Sequence, residues 1–333
     1  MEVFKLAQMA TAYSLSLLAY KANGLPRPFS ASFVVSNRCN IHCSYCNFPN
    51  LHEKELTLAE IDLVFDRLKD AGVKRLGLLG GEPLLRRDIL EIIDIARNKD
   101  FFISMNTNLL LYNKHKENLQ HIDYFFTSID GTPDKHIANR GKQNFEQILY
   151  AIRDLTKRGK KVIAICVITE PDYTSVNYLL DLAARENIQI HFQPECYDTE
   201  IVQRTAPVQA NIGMAEFWKH LAILKKQGAP ISSSLAYLNY IASWTNYGIS
   251  SLLSEGSRCA AGTGYLFVDS AGVAYPCAFT KGKTTGINLL EHKWQHSFNK
   301  ATPCNQCIVG PMLEFNLLFN EPIKAISNTL AHV

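Results

Sequence analysis

The 333-residue chain is short of several things that would place it quickly. No apolar run reaches the ~18 residues of a membrane span without a polar interruption. No block of five or more Lys or Arg occurs, and the net charge is only +3, so the basic footprint of a nucleic-acid binder is missing. With 18 Gly and 13 Pro, the chain is neither low-complexity nor collagen-like. Nine cysteines are too few for a disulfide scaffold at this length, and their odd number leaves one unpaired. Met1 to Tyr20 is apolar enough to raise a signal peptide. Yet Glu2 spoils a basic start, Ser and Thr interrupt the run, and no small-x-small cleavage site follows. What the chain does have is 47% apolar residues, enough for a core in about two units of ~150 residues. Its cysteines also cluster, which points to metal ligation in a reducing, cytoplasmic setting.

A strand–helix rhythm fills the first two thirds. Ser30–Ser36 reads as a strand, and Thr57–Ala71 as a helix opened by a capping box of Thr57 with Glu60. Ile61, Val64, Phe65 and Leu68 then follow helical spacing. Further strands are expected over Lys74–Leu79, Phe101–Thr107, Tyr124–Asp130, Val162–Thr169 and Ile188–Gln193. Helices are expected over Asp88–Asn98, 112–119, Phe145–Arg158 and Ser175–Glu186. Six β–α units with continuously apolar strands imply an α/β fold whose parallel sheet is covered by helices, as a barrel or an open doubly wound sheet. In both, chemistry belongs at the C-terminal strand ends. After about residue 200 the rhythm stops. Helices are expected over Met214–Gln227 and Ser232–Leu253, a hairpin over Tyr265–Pro276, and a helix over Met312–Leu330. This divides the chain into an apolar N-terminal helix (1–28), a β/α core (29–200), a helical linker (201–255), a cysteine-rich unit (256–310) and a C-terminal helix (311–333).

Strand one runs into Cys39, Cys43 and Cys46, spaced C-x3-C-x2-C. Three thiolates on one short loop hold three irons of a cubic [4Fe-4S] cluster, whose full protein set is four. The fourth iron is then open to a small molecule, and an open position marks a catalytic site. Spacing alone leaves open a zinc site completed by His42 or His52. The second strand ends in Gly80-Gly81-Glu82-Pro83, on the same rim. The glycines let the backbone approach a ligand, and the Glu82 carboxylate suits an ammonium group.

Together these motifs resemble the radical SAM superfamily over residues 30–196. The C-x3-C-x-aromatic-C element is Cys39, Cys43, Tyr45 and Cys46, and the GGEP loop is Gly80–Pro83. The resemblance implies a partial (β/α)6, TIM-like barrel. It implies S-adenosylmethionine (SAM) on the open iron, cleaved reductively to a 5′-deoxyadenosyl radical that abstracts hydrogen from substrate. A flavodoxin- or ferredoxin-type protein would supply the electron. By the same resemblance, Glu82 meets the SAM amino group and Tyr45 lies near the adenine. Thr107-Asn108 matches a T-N-G motif in which Leu109 replaces glycine. Ser128, Asp130 and Gly131 match S-x-D-G near the ribose. His136, Arg140 and Gly141 match H-x3-R-G, with Arg140 toward the SAM carboxylate. Gln193 faces the adenine. From the residues alone, Asp130 also reads as a turn or helix cap, and His136 and Arg140 as salt-bridge partners.

Four further cysteines, Cys259, Cys277, Cys304 and Cys307, lie beyond the rhythm. Four thiolates close a shell for zinc as readily as for iron–sulfur. The C-x12-G-x4-C element with a later C-x2-C resembles the twitch form of the SPASM extension, which implies one auxiliary [4Fe-4S] cluster that accepts or relays an electron. Cys166, inside an apolar strand, reads as a buried small hydrophobe. Glu195 and Cys196, at a strand end, are candidates to face substrate, Glu195 in a catalytic role. The leading reading is hydrogen abstraction from a small polar molecule such as a sugar or aminocyclitol alcohol. A peptide maturase, an enzyme on a lipid, and a non-catalytic electron-transfer protein are the alternatives. The lipid reading rests on the apolar helices 3–20, 232–253 and 312–330, which suit a membrane surface or dimer contact as well as plain packing. Molybdopterin-precursor enzymes share the length and N-terminal motifs. Here, however, Gly262 stands where their second C-terminal cysteine would be, and the tail reads Ala331-His332-Val333 where theirs ends in Gly-Gly.

Overall fold

The computed structural model describes residues 2–23, 27–141, 145–197, 200–202, 207, 209–253, 259–294 and 304–320, with the side chains of 2–6, 23, 251–253, 304–306 and 320 outside that set. The chain opens with α1 (Glu2–Asn23) and β1 (Ser30–Ser36). There follow α2 (Leu58–Ala71), β2 (Arg75–Gly80), α3 (Ile89–Asn98), β3 (Phe102–Asn106) and the short α4 (Tyr112–His115). Next come β4 (Tyr124–Ser128), α5 (Pro133–Arg140), α6 (Phe145–Lys157), β5 (Lys161–Ile168), α7 (Tyr173–Glu186) and β6 (Gln189–Pro194). Strands β1 to β6 pair in sequence order, all parallel. This is the largely parallel, partial-barrel α/β fold that the β–α rhythm and the resemblance called for.

Thr57 caps α2 as expected: its hydroxyl accepts from the Glu60 N–H, and Glu60 reaches back to the Thr57 N–H. Ile61, Val64, Phe65 and Leu68 are buried beneath it. The two faces of the sheet differ sharply. Ala31, Phe33, Leu76, Leu78, Ile103, Met105 and Phe125 lie under the helices, with Phe33 edge-on to Phe65 at 5.3 Å. The alternate positions form the inner face. There Gly77 sits between the Ser32 and Ser104 hydroxyls, and the Arg75 guanidinium lies 6.0 Å over the Phe126 ring. Strand alternation continues that face to Asn106, Ser128, His191 and Gln193, all half-buried. The inner face is thus mixed, its polar side chains set among Val34, Leu79, Phe126, Ile165 and Val167, where the outer one is largely apolar.

Beyond β6 the chain forms α8 (Met214–Lys226), α9 (Leu235–Ala242) and β7 (Ser251–Leu253). The single helix expected over 232–253 is therefore cut short. Asn246 accepts the Gly248 N–H through its side chain, and its carbonyl takes the Trp244 indole N–H, which makes a turn of this apolar stretch. The expected hairpin is β8 (Tyr265–Val268) with β9 (Val273–Tyr275), followed by β10 (Ile287–Asn288). It is not set apart from the core: β8 pairs parallel to β1, Ser30 to Tyr265 through Phe33 to Val268, and extends the sheet to nine strands.

β11 (Cys304–Cys307) pairs antiparallel with β7, and α10 (Gly310–Asn320) follows. The rest of the helix expected to Leu330 lies outside the described residues. Helix α10 packs on α1: Phe319 meets Tyr13 and Tyr20, and Tyr13 Oη donates to the Leu318 carbonyl at 2.6 Å. Its first residue, Gly310, lies against His191 and Gln193 of the inner face. The two apolar terminal helices thus cover one another, although Leu15 and Leu18 of α1 remain 58% and 64% exposed. Among the described residues, no helix is long and apolar enough to cross a membrane.

Candidate active site at the strand ends

The loop leaving β1 carries Cys39, Cys43 and Cys46, all half-buried. A turn, Cys46 N–H to Cys43 carbonyl at 3.2 Å, sets the second pair. The loop is held from three sides. Ser36 and Arg38 bind Glu55, the Ser44 N–H donates to the Asn139 carbonyl of α5, and the Glu82 N–H donates to the Arg38 carbonyl. Burial raises all three thiols, Cys43 to about 11; Glu82 and Cys46 add repulsion at Cys39, and Cys46, Asp130 and Cys39 add it at Cys43, where Arg140 opposes it. Without a cation the three sulfurs are therefore held as neutral thiols, and a bound cation is what would make them thiolates.

Among the described residues, no three His, Cys, Asp or Glu side chains converge closely enough to hold one metal ion. Zinc needs every sulfur about 2.3 Å from a single centre. A cubic cluster instead takes each thiolate on its own iron. Three thiols on one loop match that donor set, one for each of three irons. Beside it opens a recess of about 270 Å³ lined by His42 to Asn47, Pro49 and Asn50.

Gly80 and Gly81 are required by the close approach of two loops. A Cβ on Gly80 would lie 2.1 Å from the Ser36 carbonyl oxygen, and one on Gly81 2.3 Å from that of Arg38. The glycines bring the β2 loop onto the backbone of the cysteine loop, where the Gly81 N–H donates to Ser36 at 2.9 Å. Pro83 then opens a buried 3-10 turn. Glu82 is 0% exposed, and its carboxylate accepts from the Leu84 N–H, the Thr107 hydroxyl and the Asn108 N–H at 2.8 to 3.0 Å. Burial pushes it up to about 7 against those three bonds. The carboxylate is thus committed to the chain's own donors, clamping the loop after β3 to the loop after β2. Asn108 extends the clamp by donating to Asn40, next to Cys39, at 2.7 Å. Leu109, in the glycine position of the motif, holds φ +61°, the left-handed conformation a glycine would adopt freely.

At the end of β4, Ser128 sits half-buried on the inner face and Asp130 is buried. Asp130 takes a fork from Arg140, Nε to Oδ2 at 2.8 Å and Nη2 to Oδ1 at 3.1 Å. Tyr45 Oη donates to Oδ2 at 2.7 Å, and the Val167 N–H adds a fourth bond. Burial alone would raise this carboxyl, yet Arg140 and these donors hold it below its ordinary value. The salt-bridge role is thus filled, in the interior rather than on the surface. His136, fully buried, accepts the Asp130 N–H at Nδ1 and stands edge-on to Phe145. The sequence reading missed α5, the helix that carries His136 and Arg140. Thr132 caps it by accepting the Lys135 N–H, with Pro133 at its first turn, and this Thr-Pro start was the available signal.

Gln193 faces inward near the end of β6. Glu195, buried, accepts from Tyr197 Oη at 2.8 Å. Cys166 is buried at 2%, as its apolar strand required. Cys277 lies in a second apolar cluster, and Cys196, Cys259 and Cys307 pack against it. Cys259 Sγ accepts from Asn316 of α10 at 3.3 Å, a partner that no motif announced. The side chain of Cys304 lies outside the described residues.

Residues 33–183 match the Radical SAM superfamily model. That stretch, a little under half of the chain, is similar to a Radical SAM superfamily domain. It includes the three-cysteine loop, Gly80–Pro83, Asn108, Ser128, Asp130 and Arg140, while Gln193, Glu195 and the four C-terminal cysteines lie beyond the match. Over 174 residues the chain is 29% identical to a GTP 3′,8-cyclase of Marinobacter nauticus, covering 48% of this chain and 52% of that one. The chain thus spans about half the length of that curated relative. Among solved structures it is similar to Streptococcus suis SuiB bound to S-adenosylmethionine, with a TM-score of 0.66, 17% identity, and coverage of 86% and 69% of the two chains. It is also similar to anSMEcpe with bound AdoMet and a peptide, with a TM-score of 0.62, 16% identity, and coverage of 91% and 99%. At these identities the likeness shows the fold. A radical SAM domain implies SAM and one [4Fe-4S] cluster.

Proposed function

We propose that this protein is a radical SAM enzyme acting on a small polar substrate. When bound, a [4Fe-4S] cluster with SAM on its open iron supplies reductive cleavage of SAM and a 5′-deoxyadenosyl radical that abstracts hydrogen from substrate. The observation that carries the reading is the Cys39, Cys43, Cys46 loop clamped by the Gly80–Pro83 loop at the ends of adjacent parallel strands. Cys39, Cys43 and Cys46 would hold the cluster. The fixed backbone at Gly80–Pro83, with Asn108, Ser128 and Gln193 along the rim, would bind and orient SAM. Tyr45 closes one side, its hydroxyl anchored on Asp130. Glu195, buried at the mouth of β6, is the candidate to hold a proton or a substrate hydroxyl.

The polar side chains set into the inner face support the substrate class. Ser32, Ser104, Asn106, Ser128, His191 and Gln193 offer hydrogen bonds, which suit a hydroxylated or amino-bearing molecule better than a lipid chain. A peptide substrate is the second reading, favoured by the likeness to SuiB, also solved with precursor peptide SuiA, and to anSMEcpe with its peptide. Cys259, Cys277, Cys304 and Cys307 would form a twitch-like site for an auxiliary [4Fe-4S] cluster, which supplies a sink or relay for one electron when bound. That Cys259, Cys277 and Cys307 lie in or against one apolar cluster supports that grouping. A flavodoxin- or ferredoxin-type protein would be the reductant.

The test is anaerobic incubation of the reconstituted protein with dithionite and SAM. Release of 5′-deoxyadenosine is expected, and its absence from protein loaded with iron would reject the enzymatic reading. About eight irons per chain are expected from two four-iron clusters. Four irons with one zinc would remove the redox role given to the C-terminal site.

A further inference from the structure

We propose that Arg140 is a positioning residue for the N-terminal cluster, a fixed cation that donates to Cys43 and makes the cluster easier to reduce. This rests on the reading that Cys39, Cys43 and Cys46 hold a [4Fe-4S] cluster. The matching motif assigns Arg140 to the SAM carboxylate, but the geometry gives it another task. Its Nε and Nη2 are engaged by the two oxygens of Asp130. That fork sets the guanidinium plane and turns Nη1 away from the carboxylate, to 3.8 Å from Cys43 Sγ. Asp130 has little freedom, since Tyr45 Oη and the Val167 N–H also bind it. The Tyr45 ring lies 5.4 Å from the guanidinium carbon and covers that side. The side chains of Arg140 and Asp130 are only 9% and 0% exposed, so water screens the pair weakly. Helix α5 is itself tied to the cysteine loop, by the Ser44 N–H on the Asn139 carbonyl at 2.9 Å.

The pair is therefore an oriented dipole with its positive end on the sulfur. Taking up one electron from the reductant adds negative charge to the cluster and its sulfurs. A cation at hydrogen-bond distance from a ligating sulfur stabilises that added charge, which raises the reduction potential. The carboxylate sits behind the guanidinium and cancels only part of the effect.

The test is an EPR-monitored redox titration of the anaerobically reconstituted full chain, following the signal that shifts when SAM is added. The principal variant is Asp130→Asn with Arg140→Gln, which removes both charges and leaves neither buried alone. With wild-type iron content, its one-electron reduction equilibrium is expected to be about tenfold less favourable, or about 59 mV lower. Arg140→Lys is read in parallel. Its single ammonium group cannot span from Asp130 to Cys43, so the potential falls in the same direction. This variant carries the test if the double variant takes up no iron. A wild-type potential in an iron-loaded variant overturns the role of Arg140 and leaves the cluster intact. A Cys43→Ala protein with full iron and a wild-type signal would instead overturn the underlying ligand assignment.

Discussion

Gly81→Ala isolates the close approach of two loops on which the site depends. The added methyl would lie 2.3 Å from the Arg38 carbonyl oxygen and 2.5 Å from that of Asn37. Both are backbone atoms, so no side chain can swing aside; the loops must part. Parting them breaks the Gly81 N–H bond to Ser36 and the Glu82 N–H bond to Arg38, of 2.9 and 2.8 Å. Two buried backbone pairs left without partners cost about 1–3 kcal/mol each, so about 2–6 kcal/mol in all. Gly159→Ala is the control. It has φ +74° but nothing within 4 Å of its Cβ, so only the conformational cost of about 1–2 kcal/mol applies. Urea unfolding of the two variants separates packing from backbone preference, and iron uptake reports on the cysteine loop directly. Gly81→Ala should lose several kcal/mol and most of the iron bound at the N-terminal loop, whereas Gly159→Ala should lose only about 1–2 kcal/mol and load iron normally. If both variants lost the same small amount and loaded iron normally, the glycines would not be there to join the loops.

Three other outcomes follow from the same geometry. Glu82 is raised from 4.5 to about 7, so between those pH values the folded chain holds a proton that the unfolded chain has released. Its contribution to stability is fully present below pH 4.5 and falls as pH rises to about 7, by about 3 kcal/mol. Glu82→Gln should abolish that part of the pH dependence in parallel unfolding titrations, so that the variant gains on wild type as pH rises through this window. Equal slopes would mean the carboxylate is not buried as described. Cys43→Ala should abolish 5′-deoxyadenosine release, whereas Cys304→Ala should retain some release while product formation is impaired. Equal loss of both in the two variants would contradict the proposed division of labour. Asn316→Ala removes the amide that donates to Cys259 at 3.3 Å, and iron retention by the C-terminal site under chelator challenge should fall several-fold. An unchanged loss rate would make that contact incidental.

Much of the scaffold was legible because it is locally encoded. Continuous apolar runs gave β1 to β6, period-3.6 patterns gave the long helices between them, and Thr57 with Glu60 marked a helix start within one residue. The cysteine and Gly-Gly spacings pointed to the rim where the loops do meet. What sequence could not give was who meets whom. The glycines suggested a close approach, but nothing in the sequence named the backbone at Ser36 and Arg38 as a partner. The Glu82 side chain suggested an ammonium acceptor, yet three donors of the chain itself occupy it. Asp130 and Arg140 are ten residues apart, and only the turn into α5 brings them face to face. β8 pairs with β1 across more than 200 residues, a register that no local pattern records. The stretch 232–253 misled because its apolar content hides a turn at Asn246 to Gly248, where side-chain hydrogen bonding outweighs helical spacing.

The central claim is that the three cysteines leave one iron corner for the amino and carboxylate groups of SAM. Electron-nuclear double resonance on the reduced N-terminal cluster, with SAM labelled with 15N at its amino group, addresses it directly. Hyperfine coupling to the labelled nitrogen is predicted, lost in Cys43→Ala. A cluster that forms on the loop and shows no coupling to the label would contradict the account.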